Sequence, residues 1–142
     1  MTREYASAES SIVQSLPLSG TRGPSSDAYP VFLQGVFPFL GNGLMEPFLL
    51  HPEVTYTVPD GSVATLEYFR AGNASDQMIY LSVVGNGRVR RYFPISPQGD
   101  SHVSLAIREA IPAGTRIEIH VAAARGVLGT VVVDAGFLER RE

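Results

Sequence analysis

Polar and apolar residues alternate without a break along Arg116-Ile117-Glu118-Ile119-His120-Val121, directly after the turn-like Ile111-Pro112-Ala113-Gly114. A period of two fits a β-strand with one buried face and does not fit a helix. Weaker copies of the pattern follow one another along the chain, punctuated by Gly, Pro, Asn and Asp. They predict about eight strands, over residues 31–40, 48–58, 63–70, 78–84, 88–95, 102–107, 115–124 and 129–138. Short strands with turn signals between them predict an all-β chain, an antiparallel β-sandwich or jelly roll.

The turns carry their own chemistry. Pro59-Asp60-Gly61 presets φ with proline and accepts a positive φ at glycine, so residues 63–70 are expected to return beside 48–58. Asn86-Gly87 is the favoured dipeptide of a two-residue type I′ hairpin. With those two residues at its centre, Val84 faces Val89 and Leu81 faces Tyr92. Val131, Val132 and Val133 are β-branched and fit a central strand buried on both faces.

Residues 1–30 differ from the rest. Seven serines, with Pro17, Gly20, Gly23 and Pro24, make this segment poor in buriable surface and predict an extended N-terminal arm. Tyr5, Ala8, Ile12, Val13 and Leu16 approximate a helical stripe, so the arm has room for a short helix near residues 4–14. Residues 31–142 then form the sandwich domain. Tyr5, Ile12 and Val13 of the arm, with Phe37 and Phe39 of the aromatic segment beside it, are the candidate subunit interface.

Composition narrows the chemistry. The 142 residues include no Cys, which removes disulfides, thiolate catalysis and Cys-ligated metal sites. Lys is also absent, so all 11 basic residues are Arg, and no P-loop or Schiff-base lysine exists in the chain. The net charge of −3 runs against a nucleic-acid partner. No apolar run approaches the ~18 residues of a membrane span, and no secretory h-region follows Arg3. A soluble chain of the cytoplasm or of a virion, without membrane insertion, is the expectation. The sequon Asn73-Ala74-Ser75 is then expected to go unused.

Three constellations bear on function. Residues two apart on a strand share a face, which joins Glu118 to His120 and His51 to Glu53. With His102 they would make a ligand set for zinc, iron or manganese, as in cupin-like metalloenzymes, although the His-x-His pattern of those folds is missing. Gly99-Asp100-Ser101-His102 has the letters of a serine hydrolase. Adjacent strand residues point to opposite faces, however, whereas a nucleophile needs its base beside it. Arg88, Arg90 and Arg91 cluster at the Asn86-Gly87 turn and offer guanidinium contacts to an acidic carbohydrate or another anion. Tyr56, Tyr68, Tyr80 and Tyr92 are candidate sugar platforms or packing residues.

Gly35-Val36-Phe37-Pro38-Phe39-Leu40-Gly41-Asn42-Gly43, followed by Phe48 and His51, resembles a segment of the sensory rhodopsin transducer family. That resemblance covers residues 35–51 only and implies the same fold class, a small β-sandwich that oligomerises. Taken together, the sequence predicts a non-catalytic structural or assembly subunit, a homo-oligomer or part of a larger particle such as a virion surface, with no cofactor. A binding module for acidic carbohydrate and a cupin-like metal-dependent enzyme are the alternatives.

Overall fold

The computed structural model describes residues 28–142, which form ten strands. In chain order they are β1 (Ala28–Leu40), β2 (Phe48–Leu49), β3 (Thr55–Thr57), β4 (Ser62–Asn73), β5 (Ile79–Gly85), β6 (Arg88–Ile95), β7 (Asp100–Ser104), β8 (Ile111–Pro112), β9 (Arg116–Ala123) and β10 (Leu128–Arg141). Tyr5, Ile12, Val13 and the short helix expected near residues 4–14 lie outside the described residues.

All pairings are antiparallel and fall into two sheets. The front sheet runs β1-β10-β4-β7, with β8 also beside β4. The back sheet runs β2-β9-β5-β6, with β3 also beside β9. Counting β2 and β3 as one interrupted strand, the pairs β1–β10, β2/β3–β9, β4–β7 and β5–β6 nest inside one another along the chain. A long four-layered hairpin has been rolled into a barrel-like sandwich, the connectivity of a jelly roll. The antiparallel sandwich read from the sequence is therefore the fold.

Three local expectations change. The 48–58 run is broken by a 3₁₀ turn at Pro52–Val54, which splits it into β2 and β3. Pro59-Asp60-Gly61 does turn, with Gly61 at φ 76, but β3 pairs with β9 while β4 enters the other sheet. The turn crosses between layers instead of closing a hairpin. In the Asn86-Gly87 hairpin both residues take positive φ, 50 and 80, and Val84 faces Val89 as expected. A β-bulge between Val83 and Val84 then shifts the register, so Leu81 faces Phe93 and not Tyr92.

That bulge puts Phe93 and Ile95 on the same face as Leu81 and Ile79. Ile79, Leu81, Val83, Phe93 and Ile95 are buried, and Tyr92 points out. Phe93 of the back sheet stacks on Phe69 of the front sheet, ring centroids 3.9 Å apart and 4° from parallel. This contact sits in the apolar layer shared by Ile117, Ile119, Val121, Val131, Val133 and Phe137. The three-valine run is central in its sheet, yet only Val131 and Val133 are buried. Val132 is 52% exposed. The expected two-sided burial is overturned because no layer covers the outer face of the front sheet among the described residues.

Candidate functional site

The outer face of the front sheet is the most distinctive surface. Register places its side chains in transverse rungs across four strands. One rung is Gln34, Asp134, Arg70 and His102; the next is Val36, Val132, Gly72 and Asp100. Gly72 has open space where a Cβ would stand. A shallow depression of about 820 Å³ lies over these two rungs, lined by Gln34, Arg70, Gly72, Asp100, His102 and Val132.

Its polar half is tied together. Arg70 pairs with Asp134, and the Tyr68 hydroxyl donates to the other oxygen of that carboxylate at 2.9 Å. The Tyr68 ring covers Gly136 so closely that a Cβ there would come within 2.0 Å of it. Burial, and then the hydrogen bond to Asp134, pushes the Tyr68 hydroxyl up to about 12. The same carboxylate raises Arg70 further, chiefly through their hydrogen bond. Phenol and guanidinium thus stay protonated at any ordinary pH, a fixed charge pattern suited to holding a partner.

The same outer face also carries large apolar side chains. Phe32 is 51% exposed, Val36 63%, Leu40 61%, Leu128 76% and Val132 52%. Leu40 faces Leu128 and Val36 faces Val132 across the β1–β10 pair, so these four cover one end of the sheet, while the Gln34–Asp134 rung stands between them and Phe32. Strand parity corrects the expected interface here. Phe37 and Phe39 are odd-numbered, turn inward and are buried, at 5% and 4% exposure. Their even-numbered neighbours carry the exposed surface, and aromatic composition alone could not show which set that would be.

The other predicted residues are dispersed. His51 stacks on Phe37 with centroids 4.6 Å apart, and its Nδ1 accepts the Glu53 N–H at 3.0 Å, capping the 3₁₀ turn. Because that segment is a turn and not a strand, His51 and Glu53 do not share a strand face. Glu118 and His120 do point the same way, 2.9 Å apart on the outer face of the back sheet, with Arg116 on the same carboxylate at 3.1 Å. His102 stands on the front sheet, the opposite side of the sandwich. Among the described residues, no three His, Asp or Glu side chains gather into a metal-binding group. Ser101 pairs with Ala71 and His102 with Arg70, so their side chains leave the strand on opposite faces.

Of the arginine cluster, Arg90 occupies the bulge, lies across Gly85 and pairs with Glu109 at 3.3 Å. Arg91 donates to the Ile107 carbonyl at 2.9 Å, and Arg88 is exposed. Two of the three guanidinium groups thus have partners within the fold. A second apolar surface on the back sheet joins Met45, Met78 and Tyr92 to Tyr80, whose hydroxyl donates to the Leu44 carbonyl at 2.9 Å. Tyr56 reaches from the back sheet to Glu139 of the front one.

Sequence reasoning named Tyr68 only as a candidate sugar platform or packing residue, and missed Arg70 and Asp134. Arg70 and Asp134 lie 64 residues apart and meet only through the β4–β10 register. Comparison with known proteins finds no family model and no curated protein that matches the chain. The resemblance of residues 35–51 to the sensory rhodopsin transducers therefore carries no function by itself. No helix among the described residues is long and apolar enough to cross a membrane.

Proposed function

We propose that the protein is a non-catalytic structural or assembly subunit, working by contact through the outer face of its front sheet. The observation that carries this reading is the exposure of Phe32, Val36, Leu40, Leu128 and Val132 on one face of the sheet. Side chains of this size, grouped on one face, mark surfaces that meet another protein. The dispersal of His51, His102, Glu118 and His120 over separate surfaces supports a contact role over an enzymatic one. An anion-binding role through Arg88, Arg90 and Arg91 is less favoured, because Glu109 and the Ile107 carbonyl already engage two of them.

Light scattering on the full chain tests the reading. The expected mass exceeds the 15.3 kDa of one chain, and falls to it when Phe32 and Val36, exposed apolar residues of the end strand, are both changed to Asp. A wild-type protein that stays at the single-chain mass at every concentration contradicts it.

A further inference from the structure

β1 is the end strand of the front sheet, and no described strand lies on its other side. Its sequence, Ala28–Leu40, contains no charged residue. Charge, one common protection of a sheet edge, is absent, and proline, another, stands only near its two ends at Pro30 and Pro38, so two copies would meet along the middle without like-charge repulsion.

The hydrogen-bonding direction of each residue can be worked out. Gly41 N–H donates to the Val127 carbonyl at 2.6 Å, and the register continues through Leu40 opposite Leu128. Residues of an antiparallel strand alternate in which neighbour they bond. Odd-numbered residues of β1 therefore bond β10, and even-numbered residues turn their N–H and C=O to the open side. Pro30 and Pro38 are both even-numbered, so their missing N–H groups take nothing from the β1–β10 ladder.

Those two prolines are equidistant from Gln34. We infer that two copies of the chain join by antiparallel pairing of β1 with β1 about a two-fold axis at Gln34, merging their front sheets into one. In that register Gln34 faces the second copy's Gln34, and Phe32 faces its Val36. Pro30 faces its Pro38, so the positions without an N–H oppose one another. Every N–H of Phe32, Gln34 and Val36 then meets a carbonyl. In this register the two strands overlap over their whole length, Ala28 against Leu40, and a shift by one residue pair in either direction shortens the overlap and loses bonds at its ends. The exposed side chains agree with this choice. Phe32 against Val36 is a favourable aromatic–aliphatic cross-strand pair, and two glutamine amides can bond across the axis.

A single strand pair with its flanking side chains falls at the low end of interface sizes, about 1,200 Å² or less. The dimer is accordingly expected to be concentration-dependent. This inference rests on the assembly reading above, and it names the partner and the register.

Single-cysteine variants test it, since the chain has no Cys of its own. Facing residues of a bonded pair have Cα atoms about 5.5 Å apart, within disulfide reach. On mild oxidation of the full chain, Gln34→Cys is expected to cross-link with itself. Phe32→Cys alone should not, because its counterparts lie about 13 Å apart along the strand. An equal mixture of Phe32→Cys and Val36→Cys should cross-link. Val36→Pro, which removes only an outward N–H, should weaken dimerisation at least ten-fold in sedimentation equilibrium while circular dichroism stays unchanged. A protein that dimerises but fails the Gln34→Cys cross-link overturns the inference and leaves the assembly reading standing. A wild-type monomer at all concentrations overturns both.

Discussion

Glu118 shows how little of a surface cluster is set by composition and how much by register. His120 and Arg116 follow and precede it at strand spacing, so all three emerge on one face of β9. The hydrogen bond from His120, followed by that from Arg116, holds the Glu118 carboxyl below its ordinary value of 4.5 against the opposing effect of burial. The folded state thus binds that proton less readily than the unfolded chain does. Its contribution to stability is present above pH 4.5 and is lost as the pH falls through the depressed value. Urea denaturation across that range should show a steeper acid loss for the wild type than for Glu118→Gln. Equal acid slopes would remove the linkage. The pair was legible beforehand because strict alternation fixes which residues are neighbours. Val132 was not: three valines in succession have no alternation to read, and only the exposed outer face of the front sheet distinguishes it from Val131 and Val133.

At the scale of elements, the corner after β4 depends on one buried amide. Asn73 Nδ2 donates to the Gln77 carbonyl at 2.8 Å and the Ser96 carbonyl at 3.1 Å. Its Oδ1 accepts from the Ser75 N–H at 2.9 Å and the Ser75 hydroxyl at 2.8 Å. One side chain thereby fastens the end of β4, the 74–77 loop and the segment after β6. The burial of Asn73 also explains how a glycosylation sequon can sit in the fold as a structural motif. Asn73→Ala leaves several buried groups unpartnered at about 1–3 kcal/mol each before relaxation, so a loss of roughly 3 kcal/mol is expected in chemical denaturation. A loss below about 0.5 kcal/mol would mean that the network contributes no more than an ordinary surface site. Element type was readable from the period of two and from Asn86-Gly87, whose chemistry is local. The bulge beside that turn and the layer-crossing of Pro59-Asp60-Gly61 were not. Both answer to tertiary demands: Arg90 lies across Gly85, and β4 has its partners in the front sheet.

For the molecule as a whole, the jelly-roll connectivity brings the first and last described strands together along most of their length, with Ala28 opposite Arg140 and Leu40 opposite Leu128. No short-range signal encodes such a pairing, which is why a sandwich could be read from sequence and its strand order could not. The same connectivity leaves β1 at the margin and turns its even-numbered residues outward. A core residue misplaced by one position would exchange the buried and exposed sets, and this parity is what moved the expected interface from Phe37 and Phe39 to Phe32, Val36 and Leu40. Assembly through the front-sheet margin is the central claim, and residue-resolved amide hydrogen exchange of the full chain at low and high protein concentration tests it most directly. Protection at Phe32, Gln34 and Val36 should rise with concentration, while the already bonded Leu33, Phe37 and Phe39 change little. Exchange at those three outward amides that is equally fast at both concentrations would contradict the account.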